Sequence, residues 1–147
     1  MNPARRRTVI WIVVVGGVIL LVGGVVAGVI GMAGFVKGMA SEPWAKLQEA
    51  IAATRTDDGA EAFHRAHPGL VARYPQAAQF VAAARSWRPK VDKLPREVPG
   101  LWEVAKAKGE MNVSTSNDET TFTLAHFHGV TARVVTRAGA LTDVTIE

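Results

Sequence analysis

Between Thr8 and Val36 the chain carries no charged side chain, and Arg5, Arg6 and Arg7 stand immediately before that run. At about 1.5 Å per residue, a helix of this length exceeds a hydrocarbon core of about 30 Å. A long helix at the surface of a soluble domain keeps one polar face, and this run has none. It therefore predicts a single-pass transmembrane signal anchor over 8–36, with 1–7 as a short N-tail. Lys37 and Lys46 are the cations close beyond the far end. The stronger cationic flank is N-terminal, which places the N-tail in the cytoplasm and the rest of the chain outside. Trp11, near the inner end, suits the boundary between acyl chains and headgroups. A cleaved signal peptide has an apolar region of about 7–15 residues, and this run is about twice that. Retention of the anchor is expected, even with a small-residue site at Gly38-Met39-Ala40.

Within the run the glycines are patterned. Gly23, Ala27 and Gly31 are spaced four apart, Gly24 and Gly28 repeat that spacing beside them, and Gly17 joins the same helical face. In lipid there is no hydrophobic force between helices, so close backbone approach at small residues is what allows them to pair. This face predicts a helix–helix interface, with a second copy or with another membrane protein.

Beyond the run about 110 residues remain, enough for one small domain and too few for two. Three of the 17 basic residues are Arg5, Arg6 and Arg7, so the remainder of the chain is nearly neutral against 13 acidic residues. That balance argues against a nucleic-acid partner. There is no cysteine, so a lipidated-cysteine anchor and disulfide staples are both excluded.

The segment 37–88 reads as helical. Ser41 and Pro43 are expected to open a helix that carries Trp44, Leu47, Ile51 and Thr54 on one side and ends near Arg55. Asp58 with Glu61 reads as a capping box for a short helix through Phe63 to about Ala66. Pro68 opens another turn, with Leu70, Val71 and Tyr74 apolar. Pro75 is expected at the first position of a further helix, whose stripe is Ala77, Phe80, Val81, Ala84 and Trp87. Pro89, Pro95 and Pro99 then predict a proline-containing linker over 89–109.

From Glu110 the period changes to two. Met111 and Val113 alternate with polar residues, and so do Phe122, Leu124 and His126. Ala132 and Val134 follow, then Val144 and Ile146. Asn117-Asp118, His128-Gly129 and Ala138-Gly139 mark tight turns between them. The segment 110–147 therefore predicts a four-stranded antiparallel meander with one apolar face, which needs a cover. The expected fold is α+β: a transmembrane helix, then short helices packed on one face of that sheet, with 37–147 as one extracytoplasmic domain.

The glycine-rich single-pass anchor, the short helical stretch and a meander opening with Gly109-Glu110-Met111-Asn112-Val113-Ser114 together resemble bacterial membrane-anchored relatives of the cytochrome oxidase assembly factor family. The resemblance covers the meander and the general layout, and it carries no functional residue onto this chain. It implies a bacterial inner-membrane protein whose C-terminal domain is periplasmic. The helix-then-sheet order is also similar to cystatin-like, cone-shaped folds that serve as extracytoplasmic binding modules.

Residues suited to catalysis are sparse. His64 and His67 fall at i and i+3, His126 and His128 at i and i+2, and the two pairs would form a nitrogen-rich metal set if they converged. Against that, Pro68 closes the helix at His67, no HExxH is present, and His126 reads as a continuation of the Phe122–Leu124 face. No serine lies in a GxSxG elbow, and Ser86, Ser114 and Ser116 sit in ordinary helix and strand contexts. Asp57, Asp58 and Glu61 suit a helix N-terminus better than paired acid–base work. Neither an enzyme nor a cofactor is expected.

One stretch stands out by charge. Arg85, Arg88, Lys90, Lys93 and Arg96 face only Asp92, and Trp87 and Trp102 flank them. Cations with tryptophan suit anionic headgroups or an acidic partner, although a single charge run is more often a solvated loop over packed indoles. The sequence thus predicts a membrane-anchored accessory or binding module, serving or belonging to a membrane protein complex. Its partners would be the bilayer and a membrane protein or a second copy. The alternative is a tethered periplasmic domain that binds a small ligand or a metal on its sheet face.

Overall fold

The computed structural model describes residue 31 and residues 34–147. The apolar run lies outside them except for 31 and 34–36, and no helix among the described residues is long and apolar enough to cross a membrane. Val36–Glu147 form one unit. It is α+β, with helices and a single sheet of four antiparallel strands.

The unit is helical from its first residue through 53, here α1 (36–53). Ala40, Pro43, Trp44, Leu47, Ala50, Ile51 and Thr54 are buried along it, a continuous stripe at helical spacing. Ser41 and Pro43 therefore do not open this helix. The Ser41 hydroxyl donates back to the Gly38 carbonyl at 2.8 Å, and Pro43, fully buried, forfeits one backbone bond inside the helix for the sake of the stripe. At the far end Thr54 Oγ1 donates to the Ala50 carbonyl at 2.7 Å.

The second helix, α2 (Asp57–Ala66), is capped by Thr56, whose side chain accepts from the Gly59 N–H at 3.1 Å. The expected Asp58–Glu61 box is thus replaced by a threonine cap two residues earlier, with Asp57 and Asp58 in the positively polarised first turn. A 3₁₀ turn follows over Pro68–Ala72. Three residues per turn send Leu70 inward and leave Val71 exposed.

The third helix, α3 (Ala77–Val91), starts two residues after Pro75, with the Gln76 N–H donating to Gln79 Oε1 at 3.2 Å. It buries Phe80, Ala84, Trp87 and Val91 and runs past Pro89, because the apolar stripe continues to Val91. The expected linker also contains a short helix, α4 (Leu101–Lys106), anchored by buried Val104. At its end Lys108 takes a positive φ of 54°, the Gly109 N–H reaches the Val104 carbonyl at 3.0 Å, and the Lys108 N–H reaches Ala105 at 3.1 Å. This is a Schellman ending in which lysine fills the left-handed position. Glycine stands one residue later because a Cβ at 109 would lie 3.0 Å from the Ala125 carbonyl oxygen.

The sheet comprises β1 (Glu110–Ser116), β2 (Glu119–Phe127), β3 (Val130–Arg137) and β4 (Ala140–Ile146), in that spatial order. All three turns have positive φ at both central residues: Asn117-Asp118, His128-Gly129 and Ala138-Gly139. These are the two-residue turns that match strand twist. Phe122, Leu124, Ala132, Val134, Val144 and Ile146 fill the inner face.

Two irregularities break the alternation. Pairing steps from Leu124↔Ala132 to Phe127↔Val130, and His126 takes φ 56° with its N–H on Thr131 Oγ1 at 3.1 Å. This bulge turns Phe127 inward and His126 outward, so His126 does not extend the Phe122–Leu124 face. A second shift, from Val135↔Asp143 to Thr136↔Leu141, leaves Thr142 unmatched with its hydroxyl on the Val135 carbonyl at 3.1 Å.

The cover over the inner face comes from two places. Trp44 of α1 sits edge-on to Phe122, with ring centroids 5.4 Å apart. The 3₁₀ turn packs on β4 so closely that a Cβ at Gly69 would collide with the Leu141 carbonyl oxygen. The third helix packs chiefly on α2 and reaches the sheet at β4. There Phe80 is enclosed by Phe63, His64, Tyr74 and Trp87.

Candidate functional site

The basic stretch divides into a structural half and a solvent-facing half. Arg85 and Arg88 project from α3 onto Asp57 at the start of α2. Arg85 donates through Nε and Nη2, and Arg88 Nη2 reaches Oδ1 at 2.7 Å. Arg88 Nε also donates to the Thr54 carbonyl at 2.9 Å, satisfying the end of α1. These bonds, Arg85 first, hold the Asp57 carboxyl at a pKa of about 2. One carboxylate and two guanidiniums thus tie together three helices. A groove of about 420 Å³ beside them is lined by Asp57, Asp58, Glu61 and Arg85 together with Ala77, Ala78 and Val81. Arg85 and Arg88 therefore brace the fold, and Trp87 between them is buried edge-on against Phe80.

Lys90 is half-buried and Lys93 and Arg96 are exposed, with no ion-pair partner among the described residues. The backbone of this segment is fixed: the Trp44 indole donates to the Arg96 carbonyl at 3.3 Å and the Gln48 amide to Pro95 at 3.2 Å. A smaller cavity of about 130 Å³ lies there, lined by Gln48, Ile51, Arg55, Val91, Asp92, Leu94 and Arg96.

The largest exposed apolar residues of the sheet-bearing unit lie on α4. Trp102 is 74% exposed and Leu101 48%. Helical spacing places Leu101, Ala105 and Trp102 within one exposed arc, with the buried Val104 just outside it on the Leu101 side. Lys106, one turn on, holds its ammonium 5.5 Å from the Trp102 ring centroid. Sequence reasoning assigned Trp102 to the flank of a loop and missed Leu101 and Lys106. The available signal was an i, i+4 Trp–Lys pair directly after Pro99-Gly100, a position suited to a helix start.

The histidine pairs do not form one site. His64 Nε2 is 2.7 Å from the Tyr74 carbonyl and His67 Nδ1 is 2.8 Å from the Phe63 carbonyl, so each ring is occupied by backbone. His67 Nε2 stands 3.7 Å from Glu49. His126 and His128 are exposed at the bulge and the turn, both at positive φ. Among the described residues no three of His, Cys, Asp and Glu are grouped to hold a metal ion. Of the glycine face, Gly17, Gly23, Gly24, Ala27 and Gly28 lie outside the described residues. Gly31 is exposed, and a Cβ there would meet nothing within 4 Å.

No protein-family model, curated protein or solved structure matches this chain.

Proposed function

We propose that this chain is a membrane-tethered binding module that docks a membrane protein complex on the extracytoplasmic side. Thr8–Val36 serves as an uncleaved single-pass anchor in a bacterial inner membrane, with Arg5, Arg6 and Arg7 in the cytoplasm and the α+β unit in the periplasm. The glycine face at Gly17, Gly23, Gly24, Ala27, Gly28 and Gly31 contacts another membrane helix. An assembly role for a respiratory oxidase is the form of this reading that the meander's resemblance suggests.

One observation carries the docking half of the proposal: α4 presents Leu101 and Trp102 to solvent while its neighbour Val104 is buried. Tryptophan is among the residues enriched at the well-packed centres of protein interfaces. Lys93 and Arg96, exposed nearby in sequence, direct the choice toward a partner with acidic groups.

The test is co-purification of the full chain in mild detergent. A second membrane protein in fixed ratio is expected with the parent and with Val71→Ala, and is expected to be lost with Trp102→Ala. Retention of that protein by Trp102→Ala would remove α4 from the docking surface. A full chain that purifies without a companion and takes up zinc through His126 or His128 would favour the ligand-binding alternative.

A further inference from the structure

The two edges of the sheet are treated differently. Beyond the end of β4, Thr131 and Glu147 exchange both backbone bonds, at 2.9 and 2.8 Å. Antiparallel alternation then makes Arg133↔Thr145 the next bonded pair and leaves Val134↔Val144 non-bonded, so the Val144 backbone groups turn outward. The Tyr74 hydroxyl meets that outward carbonyl at 3.2 Å, and the 3₁₀ turn lies against Leu141 and Thr142 through Gly69. This edge is covered.

On β1 the two-residue turn Asn117-Asp118 makes Ser116↔Glu119 the closing bonded pair. Counting back by two, Ser114 and Asn112 bond to β2, while Met111, Val113 and Thr115 direct their N–H and C=O away from it. Thr115 and Thr120 hydroxyls at 3.2 Å fit the closer spacing of a non-bonded pair. Among the described residues nothing bonds to those outward groups. Edges are ordinarily protected by charge, proline or a bulge. Residues 111–116 have no charge and no proline, and the β1–β2 register is unbroken.

We propose that β1 pairs antiparallel with β1 of a second copy about a two-fold axis at Val113, joining two sheets into one. This axis uses the outward groups of Met111, Val113 and Thr115 and gives the longest overlap before the turn. Val113 then opposes itself, Met111 opposes Thr115, Asn112 opposes Ser114 and Glu110 opposes Ser116, with no like charges in register. Met111 and Val113 are partly exposed at the rim of the core, so the same pairing joins the two apolar layers. A partner strand of other sequence lacks this built-in match.

Introduced thiols are the only ones in a chain without cysteine. Asn112 and Ser114 are exposed, and across the axis they form a non-bonded pair with Cα atoms about 4.5 Å apart, within disulfide reach. The full chain carrying Asn112→Cys with Ser114→Cys, oxidised in its membrane, is expected to give a covalent dimer. Either single variant is expected to give no more than Ala78→Cys on the exposed side of α3, which reports collisions between tethered copies. Thr115→Pro, whose lost N–H is one of the outward ones, is expected to abolish the dimer band of the double-cysteine chain. A double-cysteine chain that links no better than Ala78→Cys would overturn the pairing. So would equal linking by the single variants, or linking to a different protein.

Discussion

Asp57 is the residue on which the helical layer converges. It accepts from Arg85 and Arg88, and Arg88 also closes the end of α1 at Thr54. The folded carboxyl has a pKa of about 2 against an ordinary 3.8, so the folded state favours its ionised form. The sign follows from linkage: the contribution is present above about pH 4 and is lost as pH falls through about 2. Solvent screening at this exposed site keeps it modest. Unfolding midpoints measured from pH 5 down to pH 2 are expected to fall less steeply for Asp57→Asn than for the parent. Identical slopes would show that the pairs are electrostatically idle. Composition alone marked Asp57 as a first-turn residue. Its arginine partners come from 28 and 31 residues away, a separation that helical periodicity does not encode. Gly69 is hidden in the same way, since only its contact with Leu141 demands a missing Cβ. Gly69→Ala is expected to lower the melting temperature, whereas Gly38→Ala, with open space around it, is expected to hold or raise it.

Among the elements, Phe80 gives α3 its place. It is fully buried between Phe63 at 6.0 Å, Tyr74 at 5.2 Å and Trp87 at 5.6 Å, so truncation leaves a cavity bounded by three aromatic rings. Phe80→Ala is expected to cost about 3–5 kcal/mol in urea unfolding, and Val71→Ala, exposed on the 3₁₀ turn, less than about 0.5 kcal/mol. A Phe80→Ala chain that melts with the parent would mean that α3 is held by its ion pairs. The stripe containing Phe80 was legible from its spacing, and so were the four strands, because alternating apolar residues between Asn-Asp, His-Gly and Ala-Gly admit few other readings. The bulge at His126 was not legible, since its cause is a left-handed histidine bonded to Thr131 on the next strand. Proline misled for a local reason. Pro43 and Pro89 each break one helical bond, yet the stripes Ala40–Ile51 and Phe80–Val91 bury enough apolar surface for the helices to continue. Within the expected linker, α4 was missed because a short helix with one buried residue has almost no period to detect.

At the scale of the whole molecule, the proposed topology rests on an imbalance of cations across the apolar run. Arg5, Arg6 and Arg7 precede it, while Lys37 and Lys46 follow within reach of the translocation decision. A reporter that works only in the cytoplasm, fused after Glu147, is therefore expected to be inactive in the parent chain. Replacing all three arginines with alanine leaves the lysines as the stronger flank, and a fraction of molecules is expected to invert and gain reporter activity. Adding Lys37→Ala and Lys46→Ala to that variant removes both flanks and is expected to reduce the inverted fraction again. This order distinguishes orientation by charge from orientation by the folding of the α+β unit. The second cause would keep every variant in the same orientation, since Lys37 and Lys46 have no part in the buried core. A parent chain already active in the cytoplasmic reporter would place the Leu101–Trp102 surface on the cytoplasmic side and redirect the search for its partner there.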